Sequence, residues 1–88
     1  MGNDAWYVYM IKCVDNSYYT GITVDVERRF SRHCSGKGAK YTRGRAPLEL
    51  VYKEFCGNHS EALRREIEIK KLTHNEKVLL AQKNLIDK

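Results

Sequence analysis

The sequence predicts one small domain of the α/β class, built from about three strands and about three helices. Three stretches of the 88 residues alternate apolar and polar side chains, or are rich in β-branched and aromatic residues, as strands are. Three others have helical periodicity behind residues that cap helices. A chain of this length buries only about 60 to 65% of its unfolded surface, which leaves room for one core and one surface site.

The first two strands are predicted to form a hairpin. Residues 6–13 alternate in two sets, with Tyr7, Tyr9 and Ile11 on one face and Trp6, Val8 and Met10 on the other. Short polar side chains suited to a turn follow at Asp15, Asn16 and Ser17. Residues 18–22 return as the second arm. Gly21 within that arm indicates a bulge or a close approach of another group to the backbone.

A helix follows, starting near Thr23 or Asp25, either of which can accept a hydrogen bond from an unpaired amide of the first turn. At 100° per residue, one side of this helix carries Val26, Arg29, Phe30 and His33. Arg29 and His33 are four positions apart and therefore neighbours. A cation and an imidazole thus share the edge of the helix that faces the core.

Residues 34–47 form a basic, glycine-rich stretch that predicts a loop. Its charged and aromatic residues are Lys37, Lys40, Tyr41, Arg43 and Arg45. One interpretation is a solvated loop without function. The other is a nucleic-acid contact, because cations neutralise phosphates, aromatic rings stack on splayed bases, and glycines allow a close approach.

The second helix places a carboxylate among apolar side chains. A third strand is predicted at residues 48–56 and this helix at about 60–72, capped by Asn58 paired with Glu61, or by Ser60. Glu66 lies at the centre of an apolar arc formed by Ala62, Leu63, Ile67 and Ile69. A buried carboxylate is costly unless a cation, a metal or hydrogen-bond donors satisfy it. Glu66 therefore needs a partner.

A third helix is predicted to close the core, without a role in chemistry. Thr73 with Glu76 three positions later forms its capping box, and the helix runs through Ile86. Its apolar stripe is predicted to contain Val78, Leu79, Ala81, Gln82 and Leu85.

Composition narrows the class of partner and compartment. The net charge of +5 and the pI near 9.2 favour a polyanionic partner. The three cysteines, Cys13, Cys34 and Cys56, are odd in number and lack a CxxC pair, so we expect reduced thiols. No run of about 18 apolar residues and no signal pattern are present, so we expect a cytoplasmic protein with no membrane partner.

Taken together, these stretches resemble the GIY-YIG nuclease superfamily. The resemblance is carried by Tyr7-Val8-Tyr9 and Tyr19-Thr20-Gly21, then by Arg29 and His33, and by ALRRE at residues 62–66. It covers about residues 6–80. Within the superfamily, the whole chain most resembles the small standalone single-domain subfamily. The stretches that carry this closer resemblance are YTGIT, ERR, GKGAKYTRGR and SEALRREIEIKKL.

The resemblance implies a fold, an activity and a set of site residues. The fold is an α/β sandwich of the α+β type, with a three-stranded antiparallel sheet flanked by helices. The activity is cleavage of DNA phosphodiester bonds with one divalent cation, Mg²⁺ or Mn²⁺. The corresponding residues are the motif tyrosines Tyr9 and Tyr19, Arg29 at the scissile phosphate, His33 one turn later, and Glu66 as metal ligand.

These roles suggest a mechanism and leave alternatives open. As a hypothesis, Tyr9 or Tyr19 accepts the proton of the attacking water. The pKa of a tyrosine is near 10, so a nearby positive charge, from Arg29 or the metal, must favour the phenolate. The expected function is a structure-directed or weakly sequence-specific endonuclease in DNA repair or recombination, with a protein partner as one source of specificity. The alternatives are a catalytically weak nucleic-acid-binding module and an adaptor that delivers a partner to DNA.

The chain departs from the superfamily pattern at several positions. Tyr7 replaces the glycine of the first motif, and Thr20 replaces the isoleucine of the second. Ile22 stands where the repair-nuclease branch has a catalytic lysine. That branch's downstream asparagine also lacks a counterpart. Lys40 or Thr42 of the basic loop is a candidate to substitute spatially.

Overall fold

The structure, a computed structural model, describes residues 5–86 and side chains as far as Lys83. Its strands are β1 (Trp6–Lys12), β2 (Tyr18–Thr23) and β3 (Glu49–Gly57). Its helices are α1 (Val26–Cys34), α2 (His59–Lys70) and α3 (His74–Ile86), and one 3₁₀ turn (Lys40–Thr42) lies between α1 and β3. The strands form one antiparallel sheet in the order β2-β1-β3. The predicted fold class is confirmed.

The central strand β1 is buried on both faces. Val8 and Met10 pack with Ile69 of α2 and Ala81 of α3 on one face. Tyr9 and Ile11 pack with Val26 of α1 on the other, together with the rings of Tyr7, Tyr19 and Phe30. The predicted alternation is confirmed. Because side chains alternate across a strand, β1 contributes to two separate layers of core.

The turn between β1 and β2 sets the register of the hairpin. Asn16 has a φ of 68°, in the left-handed region that asparagine tolerates. The backbone amide and hydroxyl of Ser17 both donate to Oδ1 of Asp15, at 3.1 and 2.6 Å. The resulting register pairs Tyr9 with Gly21.

The helix starts follow the predicted capping chemistry. Oδ1 of Asp25 accepts a hydrogen bond of 3.1 Å from the amide of Arg28, so Asp25, and not Thr23, caps α1. The capping boxes of the later helices are confirmed, with Asn58 and Glu61 opening α2 and Thr73 and Glu76 opening α3. Asn58 is therefore the cap of α2 in place of Ser60.

The predicted apolar stripe of α3 is partly wrong. Ala81 is buried and Val78 is half-buried, but Leu79 is 64% exposed and Gln82 is exposed. Leu80 packs against the core in place of Leu79. Two adjacent leucines are equally apolar, so the rotation of the helix about its axis is set by its docking on the sheet. The side chain of Leu85 lies outside the described residues.

The predicted apolar arc of α2 is also narrower than expected. Ala62 and Ile69 are fully buried, whereas Ile67 is 53% exposed and Leu63 is exposed. α2 packs against one face of the sheet, so only a thin line of its side chains reaches the core. Arg65, on the same helix, donates to Glu54 and Glu68 at 3.0 Å each.

Candidate active site

Tyr9 projects from β1 across the neighbouring strand β2. Its ring lies over Gly21, where a Cβ atom would come within 2.7 Å of the Tyr9 hydroxyl and 2.9 Å of Cζ. No real side chain tolerates such contacts, so the close approach predicted at Gly21 is confirmed. The missing side chain of Gly21 therefore gives the phenol its place on the sheet.

The phenol meets the imidazole of His33 in the last turn of α1. Oη of Tyr9 lies 3.0 Å from Nε2 of His33, and both side chains are buried. Tyr19 completes a cluster of three rings, with centroids 5.1 Å from His33 and 6.3 Å from Tyr9. Two motif tyrosines and the histidine thus come together.

Burial holds both members of this pair in their neutral forms. Burial raises the pKa of Tyr9 well above its usual 10, and the neighbouring Tyr19 and Glu66 add to the rise. The positive charge of Arg29 pulls this pKa down, but burial outweighs it. Burial, and then Arg29, lower the pKa of His33 below its usual 6.5. Near neutral pH the pair is a phenol and an uncharged imidazole. Arg29 thus acts on the phenol in the expected direction without making it a phenolate.

A cavity of about 550 Å³ opens between α1 and the basic loop, beside this pair. Tyr19 and His33 form part of its wall. Four of its lining residues are cations, namely Arg28, Arg29, Arg32 and Lys37. Its one acidic lining residue, Asp25, already accepts a backbone hydrogen bond as the cap of α1. The cavity therefore favours an anionic ligand.

Arg28 and Arg32 were not among the predicted site residues. Both belong to the run VERRFSRHC of α1 and are four positions apart, so they occupy one helix face. That spacing was visible in the sequence. Without the position of the loop, nothing distinguished this face from an ordinary solvated one.

The basic loop is docked on His33. Gly38 lies so close that a Cβ there would meet the His33 ring, 2.7 Å from Cγ, and its backbone, 2.8 Å from Cα. The hydroxyl of Thr42 lies 2.9 Å from Nδ1 of His33, and the amide of Ala39 lies 3.3 Å from the same nitrogen. Thr42 is buried although the loop around it is exposed. The loop is therefore a wall of the site.

The other end of the loop is tied to the hairpin turn. Arg45 pairs with Asp15 at 2.5 Å, and its backbone oxygen accepts from the amide of Val14 at 2.9 Å. The guanidinium of Arg45 lies 4.3 Å from the ring centroid of Tyr41, and that ring lies 5.9 Å from Tyr19. Of the predicted nucleic-acid-binding residues, Lys37 thus lines the cavity and Tyr41 lies beside Tyr19, while Arg45 reaches the site only through the Tyr41 ring. Lys40 and Arg43 are exposed on the same loop but do not line the cavity.

Glu66 stands at the edge of this arrangement. Its side chain is only 16% exposed and pairs with Lys70, one turn along α2, at 3.3 Å. Lys70 is itself largely exposed, so this pair is weak. The charge of Glu66 contributes to the raised pKa of Tyr9, which places the carboxylate within electrostatic reach of the phenol.

A divalent cation fits Glu66 as a single protein ligand. Within residues 5–86, no three His, Cys, Asp or Glu side chains gather as a metal site. Glu66 is a largely buried carboxylate whose ion-pair partner, Lys70, is exposed. Its oxygens are the hard donors that Mg²⁺ and Mn²⁺ prefer. Mg²⁺ keeps most of its waters and commonly uses one or two carboxylates together with substrate phosphate.

The sheet carries the two motif tyrosines on β1 and β2, and α1 carries the arginine and the histidine beside them. A family model described as the GIY-YIG catalytic domain matches residues 5–78. The chain belongs to this nuclease family. No helix among residues 5–86 has both the length and the apolar character needed to span a membrane.

The relatives are small proteins named UPF0213. A UPF0213 protein of Haloquadratum walsbyi is 54% identical over 80 residues, covering 91% of this chain and 90% of the relative. One of Clostridium perfringens is 57% identical over 74 residues, covering 84% and 80%. The solution NMR structure of a UPF0213 protein of Bacillus halodurans matches with a TM-score of 0.55 at 49% identity, covering 88% of this chain and 82% of that one.

Proposed function

We propose that this chain is a metal-dependent DNA endonuclease that hydrolyses phosphodiester bonds. The observation that carries the proposal is the buried contact of 3.0 Å between the Tyr9 phenol and the His33 imidazole, at the wall of a cationic cavity. An acid–base pair beside a cationic cavity supports this proposal, because hydrolysis of a phosphodiester needs a proton acceptor and stabilisation of negative charge.

Tyr9 and His33 would move the proton of the attacking water. Because the Tyr9 phenol is neutral, it can accept that proton only if its own proton leaves, and Nε2 of His33 is the adjacent acceptor. The water oxygen bonds to phosphorus, and the bond from phosphorus to the leaving oxygen breaks. One new end is a phosphate monoester, and the other is a hydroxyl protonated by solvent. Tyr19 is the second candidate for the phenol role.

Arg29 and Glu66 would supply the charges around this step. Arg29, which lines the cavity, would hold the scissile phosphate and stabilise its growing negative charge. Glu66 would hold the divalent cation, Mg²⁺ or Mn²⁺. When bound, that ion supplies positive charge at the leaving oxygen.

The expected substrate is DNA recognised by structure or by a weak sequence preference. A single domain of this size has little surface for reading a long site. The basic loop, with Lys37, Lys40, Tyr41, Arg43 and Arg45, would contact flanking phosphates and bases. Greater specificity would come from a protein partner. A cytoplasmic role in DNA repair or recombination completes the proposal.

The test incubates purified protein with duplex, nicked and branched DNA in Mg²⁺, Mn²⁺ or chelator. Cleavage should require the cation and should disappear in Tyr9→Phe and Arg29→Ala. Tyr18→Phe and Arg64→Ala are matched controls, since Tyr18 packs on the opposite face of the sheet and Arg64 is exposed on α2. Full cleavage by Tyr9→Phe would contradict the assignment.

The alternative is a nucleic-acid-binding module with little or no turnover. It is favoured by Ile22, which occupies the place of the catalytic lysine in the repair-nuclease branch and packs against the Val8 and Met10 side of the core. Ile22 offers no charge to the site. The same incubation separates the two functions, because the module would bind DNA and cut none of these substrates.

A further inference from the structure

Thr42 is the one buried residue of the basic loop, residues 34–47, whose other residues are exposed or half-buried. Only 2% of Thr42 is exposed, and its hydroxyl makes two contacts of 2.9 Å, one to Nδ1 of His33 and one to the backbone oxygen of Ala39. The first of these contacts joins the loop to the nitrogen of His33 that faces away from Tyr9. The other nitrogen, Nε2, is the one at 3.0 Å from the phenol.

The direction of these hydrogen bonds follows from the backbone oxygen of Ala39. A carbonyl oxygen can only accept, so the single hydrogen of the Thr42 hydroxyl is donated to Ala39. Oγ1 of Thr42 must then accept from Nδ1 of His33, which therefore carries a hydrogen. In a neutral imidazole the other nitrogen is then unprotonated. Tyr9 consequently donates to Nε2.

The amide of Ala39 is the competing donor toward Nδ1. It would require the opposite tautomer, in which Nδ1 is an acceptor and Nε2 carries the hydrogen. Both tautomers satisfy the contacts of 2.9 Å to Thr42 and 3.0 Å to Tyr9, with the donor and acceptor roles reversed. They differ in the third hydrogen bond, which is the bond of 2.9 Å from Thr42 to the backbone oxygen of Ala39 in the first tautomer and the bond of 3.3 Å from the amide of Ala39 in the second. In the opposite tautomer the Thr42 hydroxyl must donate its single hydrogen to Nδ1, so it no longer donates to the backbone oxygen of Ala39. The shorter third bond favours the tautomer that carries its hydrogen on Nδ1.

We propose that Thr42 is a positioning residue, which holds the hydrogen of His33 on Nδ1 so that Nε2 is ready to accept the proton of Tyr9. The role in catalysis rests on the proposed function, but the tautomer does not. The basic loop then contributes to acid–base chemistry as well as to DNA contact. If the loop were released from His33, Thr42 would no longer hold the hydrogen of the ring on Nδ1.

Only a neutral imidazole has two tautomers, and the His33 ring is mostly neutral near pH 7. Burial and the charge of Arg29 keep the pKa of His33 below its ordinary value. The ring is therefore mostly uncharged and must place its one hydrogen on one of its two nitrogens.

The test reads the tautomer directly in the purified protein. Two-bond ¹H–¹⁵N correlation spectra of the imidazoles distinguish a protonated ring nitrogen from an unprotonated one. Wild type should show His33 with hydrogen on Nδ1. Thr42→Val should shift it toward the Nε2 form, and Thr42→Ser should restore the wild-type pattern. A wild-type ring with hydrogen on Nε2, or a tautomer unchanged in Thr42→Val, would overturn the proposal.

Thr20→Val is the matched control for the same chemical change. Thr20 is buried like Thr42, but within residues 5–86 its hydroxyl has no hydrogen-bond partner, and it lies on the opposite face of the sheet from Tyr9. This variant should keep the wild-type tautomer. If Thr42→Val does not fold, the wild-type spectrum still decides, because it alone reports which nitrogen carries the hydrogen.

Cleavage kinetics supply the second readout. Thr42→Val should lower kcat by roughly 10²-fold, the low end of what acid–base catalysis contributes, with KM little changed, while Thr42→Ser should stay within a few-fold of wild type. An unchanged kcat in Thr42→Val would refute the positioning role. If wild type cuts no DNA, the proposed function fails, and the spectra still test the tautomer.

Discussion

A hydrogen bond of 3.0 Å joins the phenol of Tyr9, on the central strand, to the imidazole of His33, 24 positions later in the last turn of α1. Both groups are buried, so the bond forms only when α1 packs on the sheet. Burial also sets their neutral states, by raising the pKa of the phenol and lowering that of the imidazole. The candidate acid–base pair is therefore a product of packing, and the following predictions test its parts.

Replacing Glu66 with Gln should abolish metal-stimulated cleavage, lowering its rate by roughly 10²-fold or more, as removal of other electrostatic stabilisers does. The fold should survive, because the pair with exposed Lys70 is worth about 0.5 kcal/mol or less. Cleavage rates against Mg²⁺ and Mn²⁺ concentration give the measurement. Glu68→Gln, on the same helix and exposed, is the control. Undiminished cutting by Glu66→Gln would remove Glu66 from the site.

The stability of the protein should fall as the pH drops from about 7.5 to 5.5. The pKa of His33 is lower in the folded state than the roughly 6.5 of an unfolded chain, so the unfolded state binds more protons in this range. Unfolding is then favoured as the pH falls through about 6.5. Denaturant unfolding at several pH values measures the slope. His33→Gln should flatten this slope, and an identical slope in wild type and His33→Gln would contradict the prediction.

Gly38→Ala should undock the basic loop. The new Cβ would lie 2.8 Å from the backbone Cα of His33, a contact that no side-chain rotation relieves. We expect destabilisation above about 2 kcal/mol or a released loop. In a released loop the His33 ring gains water, and its pKa rises toward the ordinary value in an NMR titration.

The matched control for that change is Gly36→Ala. Gly36 has a φ of 81°, so alanine there carries a backbone cost of about 1 kcal/mol, but its Cβ would meet no atom of the described residues within 4 Å. It should leave the titration of His33 as in wild type. Equal effects of the two substitutions would show that the close approach of Gly38 to His33 is not what holds the loop.

Arg28→Ala and Arg32→Ala should each weaken DNA binding. Both residues line the cavity, and removing one phosphate contact should reduce the slope of log affinity against log salt by about 0.9 for duplex DNA. Fluorescence anisotropy across salt concentrations gives the measurement. Arg64→Ala, outside this cavity on α2, should leave both quantities unchanged. Wild-type salt slopes in the two cavity variants would place the DNA elsewhere.

The sequence by itself determined the features that depend on neighbours along the chain. The two faces of β1 and the turn at residues 15–17 follow from alternation and from local hydrogen bonding. For the caps, the sequence narrowed the choice to Thr23 or Asp25 for α1 and to Asn58 or Ser60 for α2. The motif residues also indicated the fold and the family. The close approach at Gly21 was visible because a glycine inside a strand usually marks either a bulge or a group packed against the backbone.

Only the tertiary structure decided which side chains meet. Leu80 and not Leu79 faces the core, Arg28 and Arg32 join the cavity, and Thr42 is buried against His33. None of these outcomes follows from residue type. Two adjacent leucines are equally apolar, an arginine on a helix is usually solvated, and a threonine is common in a glycine-rich loop. They depend on how the helices rotate as they dock and where the loop closes, which are set by packing between residues distant in sequence.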